Sequence, residues 1–300
     1  MKLDEFTEDM VWKLQKELGN GYKIKKQTLD GLNGTKKHSL FVAAAGSGIV
    51  PCINMDEYYG RYQKGEPFCR LFQTVLSECT GTPPFGPADV SGFSCWDSVK
   101  PRIFAKLVNT ERNQGLLQKV PHRQYLDLSL VYYVRINAGE EDIHGSILIH
   151  KEHMKIWETG EDALYETAWK NISDADETML KDINSVLAQL LDINIFAAIG
   201  SGDGCCMYVL GSKSLINGAV QMCSQQTLKK AAEVIGSDFW ILPSSIHELI
   251  LVPVYSIESD AQELAEMVRD INDTQLRPYE ILSYHVYRYS RDTETLSIAA

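Results

Sequence analysis

The sequence predicts an α+β protein with largely antiparallel sheets, helices packed on one face, and two α+β subdomains. Three observations carry this. Period-two apolar segments follow one another in pairs across short turns, as antiparallel strands do. Amphipathic segments between the pairs begin at residues able to cap a helix. Residues 80–92 hold three prolines and three glycines and break every periodicity. That break divides an N-terminal subdomain (1–80: helix, hairpin, helix) from a larger C-terminal domain (99–300), with 81–98 as a linker, a long loop or a lid.

Phe6, Met10, Leu14 and Leu18 share one face of an opening helix, which the glycines at 19 and 21 end. Tyr22–Leu29 and Ser39–Ala45 flank a turn-rich stretch and predict a hairpin. Gly46, Ser47 and Gly48 lack the spacing and the lysine of a phosphate loop and read as a turn. Asn54–Cys79 reads as helix, broken near Gly65, Glu66 and Pro67.

In the larger domain, Arg102–Val108 predicts a strand and Asn109–Val120 a turn with a short helix. The cleanest alternation in the chain runs from Leu128 to Ile136, and Ile143–His150 is expected to pair with it. Helices are expected after Thr159 (inner face Leu164, Ala168, Ile172), after Ser173 (Met179, Leu180, Ile183, Leu187, Leu190) and after Ser224, the last over Gln225–Ile235 with Gly236 as its stop. Strands are expected at Cys206–Leu210 and Ala219–Cys223, two more within Asp238–Pro253, and a final one at Ser283–Tyr289 with Arg288 and Arg291 at an exposed edge. Ser259 with Gln262 opens a helix whose inner face is Leu264, Val268 and Ile271.

Composition bounds the function. A net charge of −11 opposes non-specific nucleic-acid binding, which needs clustered cations. The lysines at 23, 25, 26, 36 and 37 fall on the expected hairpin and read as a solvated strand edge. No apolar run is long enough to span a bilayer, and the first residues lack a secretory pattern. Seven cysteines (52, 69, 79, 95, 205, 206, 223) without a CxxC pair predict reduced core thiols rather than a disulfide framework or a metal site. A cytosolic protein is expected, with no cofactor and no membrane partner.

Val120 to Tyr132 (VPHRQYLDLSLVY) and Phe239 to Glu248 (FWILPSSIHE) resemble segments of bacterial, mostly cytosolic proteins grouped under a domain-of-unknown-function label. Leu107–Asn113, Ile271–Gln275 and Glu280–Ser283 fit the same pattern, so the resemblance runs from near Arg102 to Tyr289. That family has no established activity. The resemblance implies kinship and no mechanism.

The densest chemistry lies in Asp238–Pro253, where Ser244, Ser245, His247 and Glu248 sit between apolar runs. A carboxylate buried there suits general acid–base work, and either serine is a nucleophile if a base reaches it. Neighbours on a strand point apart, however, so His247 and Glu248 do not serve one atom, and the serines also suit the turn itself. A second group joins His122 and Arg123 to Asp127, with Asn109, Glu111 and Asn113 nearby. Arg123 there suits an anion, or an internal Arg–Asp or Arg–Glu pair that anchors the loop, with Glu248 as one partner to test. Of His144, His150 and His153 with Glu152, the first two histidines are too far apart along a strand for one metal ion. His150 with His153 closes around one only if the chain turns between them, so surface histidines are expected. Tyr284, Tyr287, Tyr289, Arg288 and Arg291 suggest a binding surface.

Two functions are therefore expected. The leading one is a non-enzymatic protein that binds a protein or peptide partner, by adding a strand to an exposed edge. The other is a small-molecule hydrolase or transferase that uses Glu248, with His122 or His247 as its partner and Arg123 holding an anion.

Overall fold

The computed structural model describes residues 1–46, 50–80, 92–137, 144–175, 177–183, 207–257 and 259–300. The Pro/Gly-rich segment 81–91, Ser47, Gly48, Cys205, Cys206 and the expected helix positions Leu187 and Leu190 lie outside them. Contacts divide the chain into two compact units, Met1–Phe93 with Ile136–Gly145, and Ser94–Arg135 with Ser146–Ala300.

The first unit opens with α1 (Leu3–Leu18), whose Phe6, Met10 and Leu14 are buried at fourfold spacing. Strands β1 (Tyr22–Asp30) and β2 (Lys36–Ala44) form the expected antiparallel hairpin, and β3 (Cys52–Asn54) adds to β2. Two helices follow, α2 (Met55–Gln63) and α3 (Phe68–Thr80), interrupted where Gly65 and Pro67 stand. Asn54 caps α2 by accepting the Asp56 amide (3.2 Å). The core joins Phe6, Leu40, Ile53, Leu71 and Val75, with Tyr59, Tyr62 and Phe68 packed against it. β1 is the outer strand, and its exposed lysines are solvated, Lys26 meeting Glu8 at 3.1 Å.

In the second unit, α4 (Trp96–Val99) leads to β4 (Ile103–Asn109), α5 (Gln114–Leu117), β5 (His122–Tyr125) and β6 (Leu128–Asn137). The sheet order is β4-β6-β5, and β7 (His144–Leu148) pairs with β6. The β5 strand was not expected, because four polar residues carry no alternation; its ladder with β6 creates it (His122 opposite Val131). After α6 (Lys151–Ile156), helix α7 (Glu161–Asp174) packs on β4 through Leu164, Ala168 and Ile172. Gly160, not Thr159, stands at its cap position, and no side chain bonds there. Asn171 Nδ2 donates to the carbonyls of Lys100 (2.7 Å) and Ile103 (2.9 Å), fixing α7 to the start of β4.

A six-stranded antiparallel sheet completes this unit, in the order β13-β12-β10-β11-β9-β8. Its members are β8 (Thr178–Asp182), β9 (Tyr208–Ser212), β10 (Phe239–Pro243), β11 (Glu248–Pro253), β12 (Tyr287–Ser290) and β13 (Thr295–Ile298). Met179 and Leu180 thus belong to a strand, not to the helix expected after Ser173, because pairing with β9 overrides a weak helical spacing. Gly218–Cys223 is a 3-10 turn rather than a strand.

Helix α8 (Gln225–Ile235) follows the expected plan: Ser224 Oγ accepts the Thr227 amide, and Gly236 ends it in the left-handed region (φ 84°). Helix α9 (Ala261–Gln275) starts one residue later than expected, with Asp260 and Glu263 as the reciprocal capping pair. Its inner face is Leu264, Val268 and Asn272, while Ile271 is exposed. Asn272 takes a core position because its amide donates to the carbonyls of Pro243 (3.3 Å) and Ser283 (3.1 Å). Tyr287 and Tyr289 are fully buried while Arg288 and Arg291 are exposed as expected, but β12 covers only Tyr287–Ser290 and β13 pairs with it as a further, last strand.

Candidate functional site

The expected catalytic bend is held by backbone geometry. Ser245 Oγ accepts the His247 amide (3.0 Å), the Ser245 amide donates to the Glu248 carbonyl (3.1 Å), and the Ile246 amide donates to the Glu280 carbonyl (2.9 Å). Ser245 is buried and Ser244 half-buried, so the pair serves the turn between β10 and β11. Glu248 is half-buried at the head of β11, opposite Gly211, rather than sunk in the core.

His247 accepts the Asn217 amide at Nδ1 (3.1 Å) and so anchors the left-handed turn before Gly218. Burial depresses its pKa and nearby Lys106 adds to this, while Glu280 and Glu248 oppose it. The unfolded chain therefore binds the proton more readily. The stabilisation from neutral His247 is complete above the ordinary histidine pKa of about 6.5 and is lost as pH falls through the depressed folded value. The urea midpoint of the wild type should drop between pH 7 and pH 5, and His247→Asn, which keeps an acceptor near Nδ1, should flatten that slope. An identical slope in the variant would remove His247 as its source.

Arg123 does not meet Glu248. Its guanidinium pairs with Asp162 and, at 3.8 Å, with Glu161, and lies over the Tyr165 ring at 4.0 Å, all on α7. The strand β5 points Arg123 at that helix, so the internal pairing expected for it forms with a different carboxylate. His122 Nδ1 donates to the Val120 carbonyl (3.2 Å). Of the four hydrolase residues, His122, His247 and Arg123 thus serve as three separate anchors.

Asp127 and Asn109, by contrast, do come together, in an open cleft of about 420 Å³ lined also by Glu111, Arg112, Arg269, Ser283, Tyr284 and His285. Asp127 follows Leu126, which holds a positive φ of 54°, and its carboxylate accepts from Ser283 Oγ and Tyr287 OH, each at 2.8 Å. Asn109 spans β4 and the Leu282 carbonyl (3.1 Å), while its Oδ1 receives the Arg112 amide (2.9 Å). Asn113 is buried and donates to the Asn109 carbonyl (2.7 Å), so it supports the cleft from behind.

Tyr284 lines the cleft, with the guanidiniums of Arg112 and Arg269 at 4.8 and 4.7 Å from its ring centre. Arg112 donates to the Tyr284 hydroxyl (3.0 Å), which in turn donates to Asp273. Burial and that carboxylate raise the Tyr284 pKa, while Arg112 opposes them, so the phenol stays a neutral donor. Of the Tyr/Arg set read from the sequence, only Tyr284 belongs here. Arg288 pairs with Asp238 (2.9 Å) and Arg291 donates to the Gly236 carbonyl (2.8 Å). Arg112 and Arg269 carried no signal in the sequence, because isolated exposed cations on a turn and a helix look like solvated surface.

The other expectations divide. Cys79 is buried and its pKa is pushed up to about 11 by desolvation, as a core thiol should be. Cys52, Cys69 and Cys95 are exposed, a correction to the reading of core thiols. His150 and His153 pack edge to face at 5.7 Å around the start of α6, where the His150 amide donates to His153 Nδ1 (3.1 Å). Among the described residues, no three His, Cys, Asp or Glu side chains gather as a metal cage, and no helix is long and apolar enough to cross a membrane.

The chain belongs to the family of unknown function DUF5688, whose model matches residues 3–291. Membership therefore takes in both units, beyond the 102–289 span that carries the resemblance in the sequence. No curated protein and no solved structure matches the chain.

Proposed function

We propose that this member of a family of unknown function is a cytosolic, non-enzymatic protein of bacterial type that binds a protein or peptide partner, with the Asn109–Tyr284 cleft as its docking site. The observation that supports this most is the cleft itself: about 420 Å³, open to solvent, and lined by an aromatic ring with two arginine guanidiniums within 5 Å of its centre. Tyrosine and arginine carry a disproportionate share of binding energy at protein interfaces. The strand-addition mode loses its expected edge, since β12 is paired on both sides. A groove that receives side chains fits better. The hydrolase or transferase reading has less support, because Arg123, His247 and Ser245 are each engaged in separate structural contacts.

Panning a phage-displayed random peptide library on the full-length protein tests the proposal. Enriched peptides should bind Tyr284→Ala about tenfold more weakly or worse, as loss of an aromatic anchor implies. Tyr255→Ala, which changes an exposed ring elsewhere, should leave their affinity unchanged. No enrichment, or equal binding to Tyr284→Ala with its circular dichroism intact, overturns the proposal.

A further inference from the structure

Resting on that reading of the cleft, we infer that the Arg112–Tyr284–Arg269 cluster is a clamp for a single carboxylate of the bound peptide. The chain carries 40 acidic residues against 29 lysines and arginines, so carboxylates are in surplus. Arg61, Arg135 and Arg288 each take one, and Arg123 takes two. Arg112 and Arg269 hold their guanidiniums over one ring, and neither has a carboxylate in ion-pair reach among the described residues. Asp273 comes close only through the Tyr284 hydroxyl. Asp127, one of the two acidic side chains that line the cleft, is turned to Ser283 and Tyr287.

Two like charges held within 5 Å of one ring centre repel each other, and an oxyanion that reaches both relieves that repulsion. A guanidinium presents a planar fork that matches a carboxylate with two parallel hydrogen bonds. The charge of the cleft selects among oxyanions. Glu111 and Asp127 line it with the two arginines, so a dianionic phosphoryl group meets two carboxylates where a monoanion meets less opposition. The net charge of −11 also disfavours acidic runs, so the partner segment is expected to present one carboxylate among neutral or basic neighbours. The carboxylate comes from an Asp or Glu side chain or from a chain terminus.

Two measurements on the full-length protein test the clamp. In the first, acetyl-glutamate amide is titrated while the arginine Nε–H signals are followed by NMR, with acetyl-glutamine amide as the neutral control. The Arg112 and Arg269 signals should move with the acid only, and Arg112→Gln should abolish the response at Arg269. In the second, each enriched library peptide is made with its acids replaced by Asn or Gln, with an amidated C-terminus, or with phosphoserine in place of the acid.

One of the first two changes should weaken binding at least tenfold and identifies the carboxylate's source; Arg112→Lys should retain part of the affinity and Arg112→Gln none of that part. Peptides that bind regardless of their acids, or that bind more tightly with phosphoserine, overturn the clamp while the docking site stands. An acid-specific response at both arginines without any enriched peptide keeps the clamp and removes the peptide partner. Silence in both measurements marks a solvated arginine pair only and overturns the inference.

Discussion

Gly218→Ala should be among the most destabilising single changes in the molecule, costing more than about 3 kcal/mol and lowering the melting temperature by roughly 10 °C. A Cβ built on Gly218 would stand 2.3 Å from the Ser212 amide nitrogen, 2.5 Å from the His247 carbonyl oxygen and 2.6 Å from the Gly211 carbonyl carbon. All three are backbone atoms of strands or strand ends, so none can swing aside. The crossing exists because Asn217 turns left-handed (φ 54°) and its amide reaches His247, while the Ala219 amide reaches the Ile246 carbonyl (3.3 Å). The 3-10 turn is thereby laid against the point where β9 meets β11. Two controls separate close approach from other glycine effects. Gly115→Ala has open space and an ordinary φ and should be neutral, while Gly236→Ala has open space but a φ of 84° and should cost about 1 kcal/mol. Thermal melts of the three variants decide it, and a Gly218→Ala protein as stable as Gly115→Ala would sink the argument.

That crossing also shows what the sequence could and could not reveal. Elements driven by local chemistry were legible: the α1 face, the β1–β2 hairpin, the capped and glycine-stopped α8, and the β10–β11 pair. Elements created by distant partners were not. His122–Tyr125 is a strand only because β6 lies beside it, and Thr178–Asp182 only because β9 does. The helical phase of α9 points Asn272 inward at two carbonyls that belong to other elements, so the apolar Ile271 was chosen wrongly from spacing alone.

The candidate site follows the same division. Ser244, Ser245, His247 and Glu248 drew attention because polar residues between apolar runs are conspicuous in a one-dimensional reading. In three dimensions their hydrogen bonds close a turn. The cleft draws on five separate stretches of chain, around Asn109, Asp127, Arg269, Tyr284 and Ala300, and no spacing rule links them. Asn109 and Asp127 were visible as polar groups at a sheet end; Arg112 and Arg269 became candidates only when one ring was seen beneath both.

Asp127→Ala is the other change expected to be severe, at about 2–4 kcal/mol, and the reason is the hydroxyls it leaves behind rather than the charge it removes. Tyr287 is completely buried and Ser283 nearly so, and both donate to Asp127 at 2.8 Å. Without the carboxylate, those donors lose their anionic acceptor and are left with each other's hydroxyls. Tyr287→Phe alone should cost less, about 1–2 kcal/mol, because Asp127 keeps Ser283 and a half-exposed position. The two changes together should then cost less than their sum by at least about 1 kcal/mol, since the phenylalanine has no hydroxyl to strand. Asp127→Asn, which retains one acceptor, should fall between wild type and alanine. Urea unfolding of the four proteins measures the coupling. Additive losses would mean that the Asp127–Tyr287 bond is incidental, and that the β5–β6 turn and β12 are joined by packing alone. A strong coupling would instead place the floor of the cleft on a buried polar network, rigid enough to hold Tyr284 and its two arginines in position for a ligand.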